Sequence, residues 1–245
     1  MEKKKPGNTF SEKDVTLLHE ALKSDRHIRI IIGHYGSGKT EFSVNYALAM
    51  ANAGLQTALA DLDVVNPYFR SREKAVMLEQ HGVHVISSSR GHNANIDIPM
   101  ISAEIFSPLQ EEKTQVVLDV GGDAIGAKAA AQFRHYFIPG HYDMFCVVNR
   151  YREQTQSLEG VMEHIRSIEA TIGTKVTGLI NNTHLLRETT VEDVLYGQAL
   201  VREVSAFTGL PIRYVSAIKE VAAQLPKSVE GTVLPLELYM REAWM

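Results

Sequence analysis

The chain carries a single cysteine among 245 residues, Cys146, and that scarcity removes several chemistries at once. Neither an intramolecular disulfide nor a cysteine-rich zinc site can form, so nothing in the sequence asks for an oxidising compartment. Cys146 lies in the apolar run Met144-Phe145-Cys146-Val147-Val148, where a thiol is expected to be a buried packing group and not a nucleophile. Long hydrophobic runs are missing as well: none approaches the roughly 18 residues of a membrane span. Lys3, Lys4 and Lys5 lead into Pro6-Gly7-Asn8, which is not the apolar segment of a signal peptide. A cytoplasmic location with no membrane partner is therefore expected. Positive charge is also short, with 25 Lys plus Arg against 29 Asp plus Glu and a net charge of −4. Sequence-independent nucleic-acid binding needs clustered positive charge, so no nucleic acid is expected. There is no Pro- or Ser-rich linker, charge block or internal repeat. What is present, 44% hydrophobic and 22% charged residues, suffices for one large core.

Ser11 followed by Asp14 reads as a helix N-cap, with Val15, Leu18 and Leu22 at helical spacing behind it. Strands are expected at 28–32, 57–60, 83–86, 115–120, 144–149, 175–181 and 211–215. Most are short, β-branched and continuously apolar, the pattern of strands covered on both faces. Helices are expected at 39–52, 71–80, 154–172 and 191–208, with a shorter one near 100–106. Such alternation predicts an α/β, single-domain, doubly wound, mostly parallel sheet with helices on both faces, because each parallel step needs a crossover. The division expected is an N-terminal tail and helix over 1–27 and one α/β domain over 28–245. The interval 87–110 is the least regular interior stretch, and Arg90, His92 and Asn93 are its best polar lining for a small ligand.

Directly after the first sheet strand stands Gly33-His34-Tyr35-Gly36-Ser37-Gly38-Lys39-Thr40, a P-loop followed by a helix. Glycines let the backbone turn its N–H groups inward, and the helix beginning near Lys39 adds its positive end. Lys39 is expected on the β- and γ-phosphates and the Thr40 hydroxyl on Mg²⁺. Glu41, the next residue, completes the nucleotide-binding set from this segment. Asp119 closes the strand Val116-Val117-Leu118 and is expected to hold the Mg²⁺ shell. Gly122, just beyond, is expected to turn its N–H to the γ-phosphate. Asp61 and Asp63 end the preceding strand. Ligands of parallel sheets bind past the carboxyl ends of strands, so these carboxylates should converge on the loop, with Asp63 near metal and water and Asp61 beside it. A simple turn role remains the alternative for Asp63 and Asp119, since Asp is a common turn residue. His81 and His84 have ligand-like spacing but straddle a glycine turn with no cysteine near them, so no metal is assigned there. Asn66 to Arg72 follows Asp63 closely enough to act as a switch segment, with Arg70 and Arg72 reaching for a γ-phosphate or an acidic substrate.

These motifs, together with Val148-Asn149-Arg150 and Ile180-Asn181-Asn182-Thr183, resemble the MinD, ParA, NifH and CobQ/CobB group of P-loop proteins, the SIMIBI class, over roughly 28–215. The resemblance implies Mg-ATP binding, hydrolysis through a water oriented by Asp63, and frequent homodimers. The MinD and ParA relatives carry a signature lysine after the first P-loop glycine, and this chain has His34. Gly36-Ser37-Gly38-Lys39-Thr40 is also similar to the metallochaperone GTPases of the class. Those select guanine with an Asn-Lys-x-Asp motif, where this chain has Asn149-Arg150-Tyr151-Arg152. Adenine is thus expected, with Asn182 or Asn149 reading its edge. Two functions follow: an ATPase switch read by an unidentified partner protein, or an ATP-dependent ligase, resembling dethiobiotin synthetase or the cobyrinate synthetases, that activates a small acidic substrate. The tail 236–244 shows apolar residues at helical spacing without a basic face and is expected to pack on its own domain.

Overall fold

A computed structural model describes residues 10–63, 74–86 and 103–240. The expected switch segment with Arg70 and Arg72, and the expected lining residues Arg90, His92 and Asn93, lie outside these. In chain order the described elements are α1 (Glu12–Ser24), β1 (Ile28–Gly33), α2 (Lys39–Asn52), β2 (Thr57–Asp61), α3 (Ala75–Gln80), β3 (Val83–Ile86), α4 (Phe106–Gln110), β4 (Gln115–Asp119), α5 (Ala124–Ala131), β5 (Tyr142–Val148), α6 (Leu158–Ile172), β6 (Gly178–Asn181), α7 (Val191–Thr208), β7 (Ile212–Ile218), α8 (Lys219–Ala222) and β8 (Thr232–Leu236). The strands form one eight-stranded sheet in the order β3-β2-β4-β1-β5-β6-β7-β8. Every pairing is parallel, so the α/β, doubly wound architecture expected from the sequence is the one observed.

Alternation along β1 shows how the two faces are covered. Ile28, Ile30 and Ile32 point into a core closed by residues of α4 to α7, among them Leu109, Ala130, Ile165 and Val201. Ile31 points to the opposite core, closed by Leu22 of α1, Phe42 and Tyr46 of α2 and Leu78 of α3. A strand buried on both faces has no room for a polar alternate, which is why these strands read as unbroken apolar runs. Arg29 is the exception. It is fully buried, yet Nε donates to the Tyr46 hydroxyl at 3.0 Å and Nη2 to the Leu22 carbonyl at 2.9 Å and the Asp25 carbonyl at 3.1 Å. Its charge is tied down by the chain that links α1 to the sheet.

The helix over 39–52 and that over 191–208 stand at the expected bounds, the latter closed by the Thr190/Asp193 capping box and Gly209 in the left-handed region. The helix expected from 154 instead begins at Leu158 after a 3-10 turn at Glu153–Thr155, because Ser157 caps it by accepting the Gly160 N–H. Three elements fall outside the sequence expectation, one of them the four-residue helix Lys219–Ala222. Ala124–Ala131 is too short and small-residued to show an apolar stripe. Thr232–Leu236 contains Pro235, which argues against a central strand but is tolerated on the sheet edge where β8 sits.

Candidate nucleotide site

Strand order places the site. From β1 the chain runs outward to β2 on one side and later to β5 on the other, so the carboxyl end of β1 is where the winding reverses and a crevice opens. Gly33 to Thr40 fills that position, between the end of β1 and the start of α2. The loop approaches β5 closely: a Cβ on Gly33 would lie 2.8 Å from the Val147 carbonyl oxygen. Gly38, the residue before α2, takes φ +83°, and a Cβ there would lie 2.4 Å from the Asn182 amide nitrogen. Only glycine meets both demands.

Register brings the acids together. Asp61 and Asp119 are paired across β2 and β4, and Asp61 accepts the Asp63 backbone N–H at 3.0 Å, which turns the Asp63 side chain toward the loop. There Lys39 Nζ meets Asp63 Oδ2 at 3.3 Å, both side chains nearly buried. The Thr40 hydroxyl donates to Asp119 Oδ2 at 2.7 Å, and Ser43, one turn on, donates to Asp119 Oδ1 at 3.1 Å. Burial pushes the Asp119 carboxyl up to about 6, opposed by the Lys39 charge and the hydrogen bond from Thr40. Hard oxygens alone, one hydroxyl and two carboxylates, make a donor set suited to magnesium, which takes few protein ligands and completes its shell with phosphate and water. Among the described residues no group of three or more His, Cys, Asp or Glu gathers to hold a metal unaided. Gly122 lies against the loop from the β4 side: a Cβ on it would meet the Tyr35 backbone nitrogen at 2.7 Å.

A cavity of about 400 Å³ opens beside the loop, lined by Tyr35, Gly36, Gly38, Lys39, Thr40, Glu41 and Asp63 on one side. Its other walls come from Arg152, Asn182 and His184, from Ala217 and Ile218 at the end of β7, and from Leu236, Leu238 and Met240. Asn182 is held from both ends, its amide donating to the Ser37 carbonyl at 2.8 Å and its Oδ1 accepting the Ser216 hydroxyl at 2.7 Å. Asn149 sits deeper: it is fully buried, accepts the Tyr151 N–H at 3.0 Å, has no partner for its amide nitrogen among the described residues, and does not line the cavity. Glu41 turns its carboxylate to the N–H groups of Tyr239 and Met240. His34 is half-buried, its ring 5.7 Å edge-on from that of His164 in α6. His81 bonds the Met77 carbonyl, and His84 is exposed on β3. Cys146 is buried, which pushes its thiol up to about 12 and leaves it inert.

The sequence reading did not select Ser43, Arg152, His184, Ser216, Ala217 or Ile218. Ser43 was within reach, since i+4 from Lys39 shares a helix face. The strand-end rule, applied to β7 as it was to β2 and β4, points to 216–218.

Residues 28–195 match the family described as the CobQ/CobB/MinD/ParA nucleotide binding domain. No curated protein matches the chain. Similar solved structures include FtsY from Mycoplasma mycoides, 15% identical with a TM-score of 0.54, covering 89% of this chain and 73% of that one. The cell division protein FtsY from Thermotoga maritima is 17% identical with a TM-score of 0.55, over 87% of this chain and 76% of that one. The signal recognition particle receptor FtsY from Elizabethkingia anophelis, solved in complex with GDP, is 16% identical with a TM-score of 0.51, over 84% of this chain and 65% of that one. At these identities the likeness shows the fold.

Proposed function

The chain belongs to the CobQ/CobB/MinD/ParA nucleotide-binding family of SIMIBI-class P-loop proteins, and from that premise we propose that it binds Mg-ATP, hydrolyses it in the cytoplasm, and couples hydrolysis to a conformational change read by a partner protein. One observation carries the proposal: Lys39, Thr40, Asp63 and Asp119 meet beside the loop through contacts of 2.7 to 3.3 Å, although they come from three separate strand ends. Lys39 supplies the point charge for the β- and γ-phosphates. Thr40, Asp119 and Asp63 are the residues that would hold magnesium, which neutralises phosphate charge when bound. Asp63, just past its strand, orients the attacking water.

Adenine is favoured over guanine by what stands after β5. A guanine reader needs an acceptor for the ring N–H and amino hydrogens, and the position that would supply a carboxylate holds Arg152, whose Nε donates to the Gly36 carbonyl at 2.7 Å. Among the described residues the carboxylates lining the cavity are Glu41 and Asp63, and both already meet donors or a positive charge, from Tyr239, Met240 and Lys39. Titration calorimetry with Mg-ATP and Mg-GTP tests the assignment: wild-type protein is expected to bind ATP more tightly, and Lys39→Ala to bind neither. Preference for GTP, or unchanged affinity in Lys39→Ala, overturns it. Release of ADP only in the presence of a small carboxylic acid would assign the site to a ligase instead of a switch.

A further inference from the structure

Beyond β8 the chain continues as a strap over residues 237–240 without regular secondary structure. Leu236, Leu238 and Met240 line the cavity; Leu236, Tyr239 and Met240 also pack on the core beneath, and Tyr239 donates its hydroxyl to Glu237 at 2.9 Å. Among the described residues the strap has no sheet neighbour. Its backbone is bonded instead by two side chains of α2. Asn45 accepts the Glu237 N–H at 2.8 Å and donates to the Glu237 carbonyl at 2.9 Å. Glu41 accepts the Tyr239 N–H at 2.6 Å on one oxygen and the Met240 N–H at 3.0 Å on the other. Glu41 and Asn45 are one helical turn apart and share a face, so α2 acts toward the strap as a neighbouring strand would. The same helix begins with Lys39 and Thr40. A carboxylate two residues from the phosphate-binding lysine would repel a triphosphate if it faced it, and here it is turned away by two charge-assisted bonds to main-chain N–H groups.

We propose that the strap is the apolar wall of the nucleotide's base subsite, with Leu238 and Met240 packing on the purine ring, and that packing of the base is coupled to docking of the strap on Glu41 and Asn45. The inference rests on the nucleotide reading above and adds to it which residues receive the base. An isobutyl group and a thioether give a soft wall with no donor or acceptor, fitted to the face of a flat heterocycle and not to its polar edge. Linkage makes the coupling reciprocal: a base that packs on the strap tightens it, and a docked strap tightens the base by the same factor.

Calorimetry with Mg-ADP and with Mg-tripolyphosphate, which has the charge but no base, separates the wall from the loop. Leu238→Trp fills the subsite and is expected to weaken ADP roughly ten-fold or more, the scale of a lost kcal-sized contact, with tripolyphosphate unchanged. Leu238→Ala, which adds no bulk, should weaken ADP by about three-fold through lost apolar contact, again without touching tripolyphosphate. In wild-type protein, hydrogen exchange at the Tyr239 and Met240 amides should slow with ADP and not with tripolyphosphate. ADP binding unchanged in both variants, or tripolyphosphate affinity falling in step with ADP, overturns the wall. Exchange that ignores ADP overturns the coupling. Wild-type protein that binds tripolyphosphate and ADP equally well sinks the base subsite alone, whereas failure to bind either sinks the nucleotide reading with it.

Discussion

Asp63 has two neighbours that define its task, the Lys39 ammonium at 3.3 Å and the Asp61 carboxylate that takes its backbone N–H. Asp63→Asn keeps the shape and removes the charge. It is expected to leave ATP affinity within a few-fold of wild type and to slow hydrolysis at least roughly ten-fold, below what a general base typically contributes. Single-turnover hydrolysis checks this, and an undiminished rate would move the role to another group. His164 carries a separate prediction. It is buried in α6, and burial together with the charges of His34 and Lys39 lowers its imidazole to about 4 from 6.5. Its Nε2 has no hydrogen-bond partner among the described residues. An unfolded chain takes up a proton near pH 6.5 that the folded site refuses until about pH 4, so stability is lost as pH falls through that window. The loss is on the order of 3 kcal/mol. Urea unfolding at pH 7 and pH 4.5 should show it in wild type and show less of it in His164→Leu. At this scale the P-loop residues were plain from spacing, because glycine, lysine and threonine there have a phosphate chemistry that needs no tertiary context. His34 was not. Its signature-lysine position says nothing of the ring of His164, 130 residues further along, that it meets edge-on.

Among the elements, α1 shows how a segment ahead of the matched residues 28–195 enters the core. Ser11 and Asp14 form the capping box the sequence predicts, and Leu18 and Leu22 are buried against α2 and the sheet. Asp25, at the end of the helix, accepts both the Tyr46 and Tyr214 hydroxyls and pairs with Arg213, while Arg29 bonds the carbonyls of Leu22 and Asp25. A chain beginning at Ile28 therefore uncovers two leucine sites, worth about 1.5 to 3 kcal/mol each, and strands a buried arginine. Such a truncation is expected to lose at least about 5 kcal/mol, comparable with the whole stability of an ordinary domain. Chemical denaturation of the shortened protein measures this, and a midpoint equal to that of the full chain would show α1 to be peripheral. Helix bounds at 39–52 and 191–208 were legible because both ends carry local signals, a glycine-lysine start in one case and a capping box with a terminal glycine in the other. The strand β8 was not, since Pro235 is acceptable only at a sheet edge, and no local pattern says which strand lies at the edge.

For the molecule as a whole, any ligand that binds only the folded state must raise its stability. At about one hundred times its dissociation constant that gain is about 2.7 kcal/mol, which for a domain of this size is a rise in Tm of about 5 to 10 °C. Thermal unfolding with Mg-ADP is expected to show it, with a smaller shift for Mg-GDP at equal concentration, and a larger shift with GDP would reverse the base preference. Two kinds of information meet in that outcome. The sequence by itself determined the fold class, because continuous β-branched runs alternating with amphipathic helices leave a two-sided parallel sheet as the economical burial of the apolar residues. It also determined the phosphate loop, because consecutive backbone N–H groups and a lysine at fixed spacing are local geometry. Tertiary structure alone decided the strand order that puts Asp61 beside Asp119. Only there, too, do Arg152, Asn182, Ala217 and Leu238 become walls of one cavity. These residues come from four separate strand ends or their continuations, and each is ordinary in its own neighbourhood. Closeness between them depends on the sum of every crossover in between, a quantity that no window of sequence contains.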